Sequence, residues 1–154
     1  MSRYEVVRAT DAHARELANA MRHEDVLETW AATHLGNYEV LEAAVKVSRD
    51  AWAGLVDGRV LAMFGVVTTT ALGREGCPWL LGSQEVPAHG RAFARFSKEY
   101  IRLIRPQYAT LANYVDASYI EAVRWVRWMG FTVEPAAPFG PEAAPFHLFW
   151  MGSK

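Results

Sequence analysis

TLANYVDASYIEAVRWVRWMGFTVE, residues 110–134, is the most legible segment of the chain. Leu111–Val115 is a short apolar run that predicts a strand. Ser118-x-x-Glu121 has the spacing of a capping box, in which hydroxyl and carboxylate satisfy the first N–H groups of a helix. Ala122, Val123, Trp125, Val126 and Met129 then recur at helical spacing and mark a core-facing side. Gly130 supplies the left-handed residue that ends such a helix, and Phe131 opens another strand.

Upstream, PAHGRAFARFSKEYIRLIRPQYA (87–109) predicts a helix with Phe93, Phe96, Tyr100 and Ile104 on one face, ending near Arg105 because Pro106 cannot continue it. PWLLGSQEV (78–86) reads as the strand before it. AWAGLVDGRVLAMFGVVTTT (51–70) is a hairpin, two apolar runs about Asp57-Gly58, the preferred pair for a two-residue turn. A strand over Tyr4–Arg8 opens the chain, and Thr10 or Asp11 can cap a helix carrying Ala14, Leu17, Ala18 and Met21. Helices over 24–33 and 39–49 follow, separated by a break at Gly36 and Asn37. EPAAPFGPEAAPF (134–146) reads as a loop between strands, and FHLFWM (146–151) as the last strand. Antiparallel strands followed by strand–helix–strand crossovers give an α/β fold: a mixed, mostly antiparallel central sheet flanked by helices, in a single domain over 1–154.

The chain of 154 residues is 51% hydrophobic and 12% aromatic, enough for a core. A net charge of −1 argues against a general nucleic-acid binder. Cys77 is the only cysteine, which excludes an internal disulfide and fits a reducing compartment. No apolar run approaches the roughly 20 residues of a membrane span. The N-terminus lacks the apolar centre of a signal peptide, so the expectation is a soluble intracellular protein. His13, His23, His34 and His147 show no metal-ligand spacing, and no metal site is expected.

The element order is similar to that of the GNAT acetyltransferase superfamily over essentially the whole chain. The resemblance is carried by the Asp57-Gly58 hairpin, the strand ending at Val86, the Gly90-x-Ala92 turn and the 110–131 unit. A second resemblance is to internal virion protein A of short-tailed coliphages. It is carried by CPWLLGSQEV (77–86), by TLANYV (110–115) with its spacing to Gly130 and, more weakly, by FHLFWM. It implies phage or prophage origin, a role in virion morphogenesis through other phage proteins, and a place in the host cytoplasm or the virion. The first resemblance implies the alternative, an acetyl-CoA-dependent N-acetyltransferase with an amine acceptor. A third reading is a fold that binds CoA without catalysis.

The GNAT resemblance implies a pyrophosphate cradle of backbone amides at a helix start, patterned Gln or Arg, two residues, Gly, one residue, Gly or Ala. In Pro87–Ala92, Gly90 and Ala92 match, Pro87 replaces the first residue and has no N–H, and Arg91 could contact a phosphate. Gly90, Arg91 and Ala92 are therefore the CoA-binding candidates; the plainer reading is a helix start with Gly90 as cap. The superfamily also places an Asn eleven residues, and a proton-donating Tyr four residues, before the glycine. Here those positions hold Tyr119 and Val126, and a valine cannot donate a proton. For a general base, Glu85 at the end of the fourth strand is the best-placed carboxylate and His89 the best-placed imidazole; the plainer readings are a solvated strand-end Glu and a loop His. Arg91, Arg95, Lys98, Arg102 and Arg105 form a basic stripe, which suits a solvated face, an anionic partner, a CoA phosphate or DNA at an assembling capsid. Six tryptophans are many for this length, and one or more could be exposed to bind a partner chain.

Overall fold

In the computed structural model, which describes residues 1–152, β1 (Tyr4–Arg8) leads through three helices, α1 (Asp11–Ala18), α2 (His23–Thr33) and α3 (Asn37–Val47), to the hairpin. Thr10 caps α1: its hydroxyl accepts from His13 N at 3.2 Å, and Thr10 N donates to His13 Nδ1 at 3.1 Å. β2 (Asp50–Val56) and β3 (Arg59–Thr68) meet at Asp57 (φ 48°) and Gly58 (φ 81°), the pair of positive angles that a tight hairpin of right-twisted strands requires. β3 is buried along most of its length because helices cover both faces of the sheet there.

β4 (Glu75–Gly82), α4 (Gly90–Ile104), β5 (Thr110–Asp116), α5 (Ile120–Trp128), β6 (Thr132–Val133), β7 (Ala137–Phe139) and β8 (Ala144–Gly152) complete the chain. The sheet runs β1-β2-β3-β4-β5-β8-β6, with β7 also on β8, and among the described residues only β4 and β5 are parallel. One core layer joins α1 and α3 to the sheet through Leu17, Leu41, Leu55 and Met63. The other joins α4 and α5 through Tyr100, Ile104, Val123 and Val126 to Phe64, Leu111 and Phe149.

Four sequence expectations are corrected. β4 ends at Gly82, not at 86. Beyond it Ser83 N still bonds Leu61 O on β3, but Gln84 N bonds Ala20 O, and the chain leaves the ladder for a 3₁₀ turn at Val86–His89. Gly90 is not the cap of α4: His89 holds that position and Gly90 is already helical. The Ser118–Glu121 capping box does not form, because Asp116 competes successfully: its Oδ1 accepts from both Ser118 N (2.9 Å) and Ser118 Oγ (2.7 Å). The Pro-rich segment is not all loop, since β7 pairs with β8 from Ala137↔Phe146 to Phe139↔Ala144. Gly130, at φ 102°, does end α5: Gly130 N bonds Arg127 O and Phe131 N bonds Val126 O, the double bond of a Schellman cap.

Candidate active site

β4 and β5 pair only at Glu75↔Thr110 and Gly76↔Leu111, then part. The gap opens a cavity of about 460 Å³, lined by β4, β5, α2 to α5 and the aromatic residues of β7 and β8. Strand parity shows which backbone groups face it. Gly82 N donates to Asp25 Oδ2 (2.7 Å) and Gly82 O accepts from Arg22 N (2.9 Å), so the Gly82 peptide groups point away from β3. Pro78, four residues earlier, points the same way, and its O accepts from Asn113 Nδ2 at 2.7 Å. Leu80 lies midway between them and shares that direction. Its N–H and C=O therefore face the gap between two neighbours that already have partners. Trp125, on the α5 wall, carries a second unspent donor: its Nε1 is buried with no acceptor.

The polar end of the cavity comes from α2. Asp25 is 2% exposed and accepts from Gly82 N, from Arg22 Nε (3.1 Å) and from Arg22 Nη2 (3.0 Å). Burial pushes its carboxyl up, against the pull of Arg22 and the Gly82 N–H. One helical turn on, Glu28 Oε2 accepts from Asp116 N at 3.0 Å. The two carboxylates thus bind one N–H at the end of each parting strand, so α2 straps the gap. Burial raises the Glu28 pKa to about 7, helped by the charges of Asp25 and Asp116 and opposed by the Asp116 N–H and Arg22. Tyr119, at the start of α5, faces Asp25, and burial raises its pKa well above the usual phenol value. Val126 is 2% exposed and lines the cavity with no proton to give.

The sequence candidates for the base lie elsewhere. Glu85 is half-exposed and held by Arg59 through bonds of 2.8 and 3.1 Å, which lower its pKa. His89 Nδ1 sits 2.7 Å from the Tyr4 hydroxyl. Neither lines the cavity. Gly90, Arg91 and Ala92 do come together as the first turn of α4, one residue from Phe93 in the cavity wall. That turn has no side-chain cap, and the space over Gly90 is open, with no atom within 4 Å of where a Cβ would stand. The basic stripe is partly spent: Arg102 pairs with Glu99, Lys98 stands 4.2 Å over the Trp128 ring, and Arg105 donates to Tyr108 O. Burial raises the Cys77 thiol pKa to about 11, which disfavours its thiolate. Among the described residues no three potential metal ligands cluster, and no helix is long and apolar enough to cross a membrane.

Asp25, Glu28, Asn113 and Trp125 escaped the sequence reading. One signal was there. In α2 the polar side faces in, with Asp25 and Thr29 buried, while Leu27 and Trp30 are about half exposed. A helix with that inversion is turning its polar residues toward something other than bulk water.

No protein-family model matches the sequence, and no curated protein matches it. Solved structures do match the fold. Ard1 from Thermoplasma volcanium superposes with a TM-score of 0.74 at 12% identity, over 98% of this chain and 99% of that one. An N-acetyltransferase from Staphylococcus aureus Mu50 gives 0.73 at 13% identity, over 99% of each chain. yncA from Salmonella typhimurium, solved with its cofactor acetyl-CoA, gives 0.70 at 10% identity, over 97% and 94%. Nothing in these comparisons supports the likeness to internal virion protein A. An eight-stranded, mostly antiparallel sheet of the described residues, parting between the parallel strands β4 and β5 and matched nearly end to end by these structures, has the GNAT fold.

Proposed function

We propose that the protein is an acetyl-CoA-dependent N-acetyltransferase. The observation that carries this reading is the open edge of β4: the unpaired Leu80 peptide stands in a cavity that also holds an ionisable carboxyl titrating near neutrality. The residues present fit CoA. Its extended arm contains amides that can pair with Leu80 as a missing strand would. The unpartnered Trp125 N–H can serve a carbonyl on the same arm. The amides of Gly90, Arg91 and Ala92 at the start of α4, with the Arg91 side chain, suit the phosphates. When bound, acetyl-CoA supplies an acetyl group on sulfur: the C–N bond forms as the C–S bond breaks, and the thiolate leaves with one of the amine's protons.

The chain's own part is to hold, orient and deprotonate. Glu28 takes the base role in preference to Glu85 and His89, because it alone of the three faces the cavity and its pKa matches neutral operation. Val126 leaves the departing thiolate no protein acid at that position, so its proton comes from the amine itself or through water.

The test is titration of purified protein with acetyl-CoA by calorimetry, beside Gly90→Glu. The variant places a carboxylate where a phosphate would sit, in open space that costs the fold little. Saturable binding weakened at least ~100-fold in Gly90→Glu supports the reading. No binding at millimolar ligand sinks it.

The virion-assembly reading keeps one specific support: Leu27, Trp30 and Trp128 are large apolar side chains about half exposed, and they would suit protein contacts. It predicts no acetyl-CoA binding and a stable complex with another phage protein.

A further inference from the structure

The acceptor side of the cavity has a definite chemistry. Its wall toward α2 and α3 is formed by Val40, Ala44, Trp79, Tyr114 and Phe139. The Tyr114 and Phe139 rings stack at 4.0 Å and 15°, which fixes both rings in the wall, and Trp79 is locked by its Nε1 bond to Ser48 Oγ at 2.8 Å. The threonines on this side offer little to a polar ligand. Thr29 Oγ1 donates to Val26 O and Thr33 Oγ1 donates to Thr29 O.

Against this apolar wall stands the Glu28 carboxylate; Glu121, which also lines the cavity, is exposed at the start of α5. Asp25 is neutralised by Arg22, and Asp116 is engaged with Ser118. Glu28 makes no salt bridge among the described residues, and the nearby Arg22 is bonded to Asp25. Its Oε2 is bonded to Asp116 N, while its Oε1 has no protein partner and is not sealed from solvent, so it opens on the cavity that Glu28 lines. One free carboxylate oxygen at the end of an aromatic slot matches one ammonium group on a flat apolar body.

We propose, building on the acetyltransferase reading, that the acceptor is a primary amine on an aromatic or similarly flat apolar body. Its ammonium meets Glu28 and its body lies against Trp79, Tyr114 and Phe139. A polyamine or an amino sugar would leave its further ammonium or hydroxyl groups facing apolar walls unpaired, a cost that such a site imposes on the wrong ligand. Glu28 then has two roles toward this amine. It binds the ammonium, and it accepts the proton whose loss frees the nitrogen lone pair to form the C–N bond; the second proton leaves with the thiolate.

The experiment uses 2-phenylethylamine, 2-phenylethanol, spermidine and glycylglycine, each measured for binding by calorimetry and for thiol release with acetyl-CoA. The expected result is that 2-phenylethylamine binds at least ~10-fold tighter than 2-phenylethanol, which has the same body without the charge, and gives the fastest thiol release of the set. Glu28→Gln keeps an acceptor for the Asp116 N–H. It should bind 2-phenylethylamine no better than the alcohol and should release thiol ~100-fold more slowly. Thiol release favouring spermidine or glycylglycine overturns the proposal and leaves the transferase reading standing. Binding of 2-phenylethylamine through Glu28 with no thiol release sinks the transferase reading and supports the amine site alone. Equal affinity for the amine and the alcohol overturns the role of Glu28, and this outcome needs no variant that must fold.

Discussion

The two edges of β4 differ in what satisfies them. Toward β3 the strand is paired over seven consecutive residues, from Gly76 to Gly82. Toward β5 it is paired over two, and beyond those its peptide groups meet Asn113 at Pro78 and Asp25 with Arg22 at Gly82. The first edge is ordinary sheet, where every group is met by backbone. The second is a gap whose ends are held by side chains, with Leu80 left open between them. A sheet interior tolerates no unpaired peptide unless water or a ligand meets it. The contrast therefore marks a candidate ligand site by backbone groups that every residue carries, not by a short motif.

The largest test of that contrast removes a side chain that closes the gap. Asp25→Ala leaves the mostly buried Arg22 guanidinium unpaired and the Gly82 N–H without an acceptor. Breaking a buried pair from one side costs ~3–5 kcal/mol, which for this size is a fall in Tm of roughly 10 °C. Thermal unfolding followed by circular dichroism measures it. A change below ~1 kcal/mol would mean that α2 does not strap the strands.

Legibility in the sequence follows the same division. The paired part was readable: Asp57-Gly58 marks the β2–β3 turn, Pro106 ends α4 and Gly130 ends α5, each by a local rule about backbone angles or missing donors. The gap was not. Glu85 and His89 are well placed only for a β4 that runs to Val86, and β4 ends at Gly82. Asp25, which takes the Gly82 N–H where β4 stands apart from β5, is fifty-seven positions away. The Ser118–Glu121 box failed to a competitor two residues upstream of Ser118. β7 exists because Phe139 stacks on Tyr114 and contacts Phe146, which no property of a Pro-rich run announces. Local rules see turns and caps; the site is built from long-range contacts of ordinary polar residues.

A middle-sized effect separates the two carboxylates of α2. Folded Glu28 keeps its proton to about pH 7, whereas an unfolded one releases it near 4.5. Between those values the native state binds the extra proton, so this group's contribution to stability falls as pH rises and is fully lost above 7. The groups facing it are the Asp25 and Asp116 carboxylates, Arg22 and the Asp116 N–H. Glu28→Gln removes the titration and keeps the bond to Asp116 N. It should match wild type near pH 4.5 and exceed it above pH 7 by on the order of 2 kcal/mol. Urea denaturation at pH 5 and pH 8 reads the difference directly. A variant less stable than wild type at pH 8 would show that the charged carboxylate is well paired and that the strap has no cost.

The smallest effect concerns the donor that the folded protein leaves unspent. Trp125 Nε1 is buried without an acceptor, and its ring lies 5.8 Å from that of Phe93. Trp125→Phe removes the N–H and some packing together. An unsatisfied buried donor costs ~1–3 kcal/mol, and the smaller ring forfeits a comparable amount of burial. The two nearly cancel, so stability should stay within ~1 kcal/mol of wild type. Ligand affinity has no such cancellation: if the N–H awaits a carbonyl on the acyl donor, acetyl-CoA should bind about 5- to 10-fold more weakly, the worth of one hydrogen bond. Unchanged affinity with unchanged stability would place the indole outside the ligand's reach, and Leu80 would then be the sole unpaired group assigned to the open edge. Weakened affinity with unchanged stability would make the unspent donor of α5 and the open edge of β4 two sides of one slot.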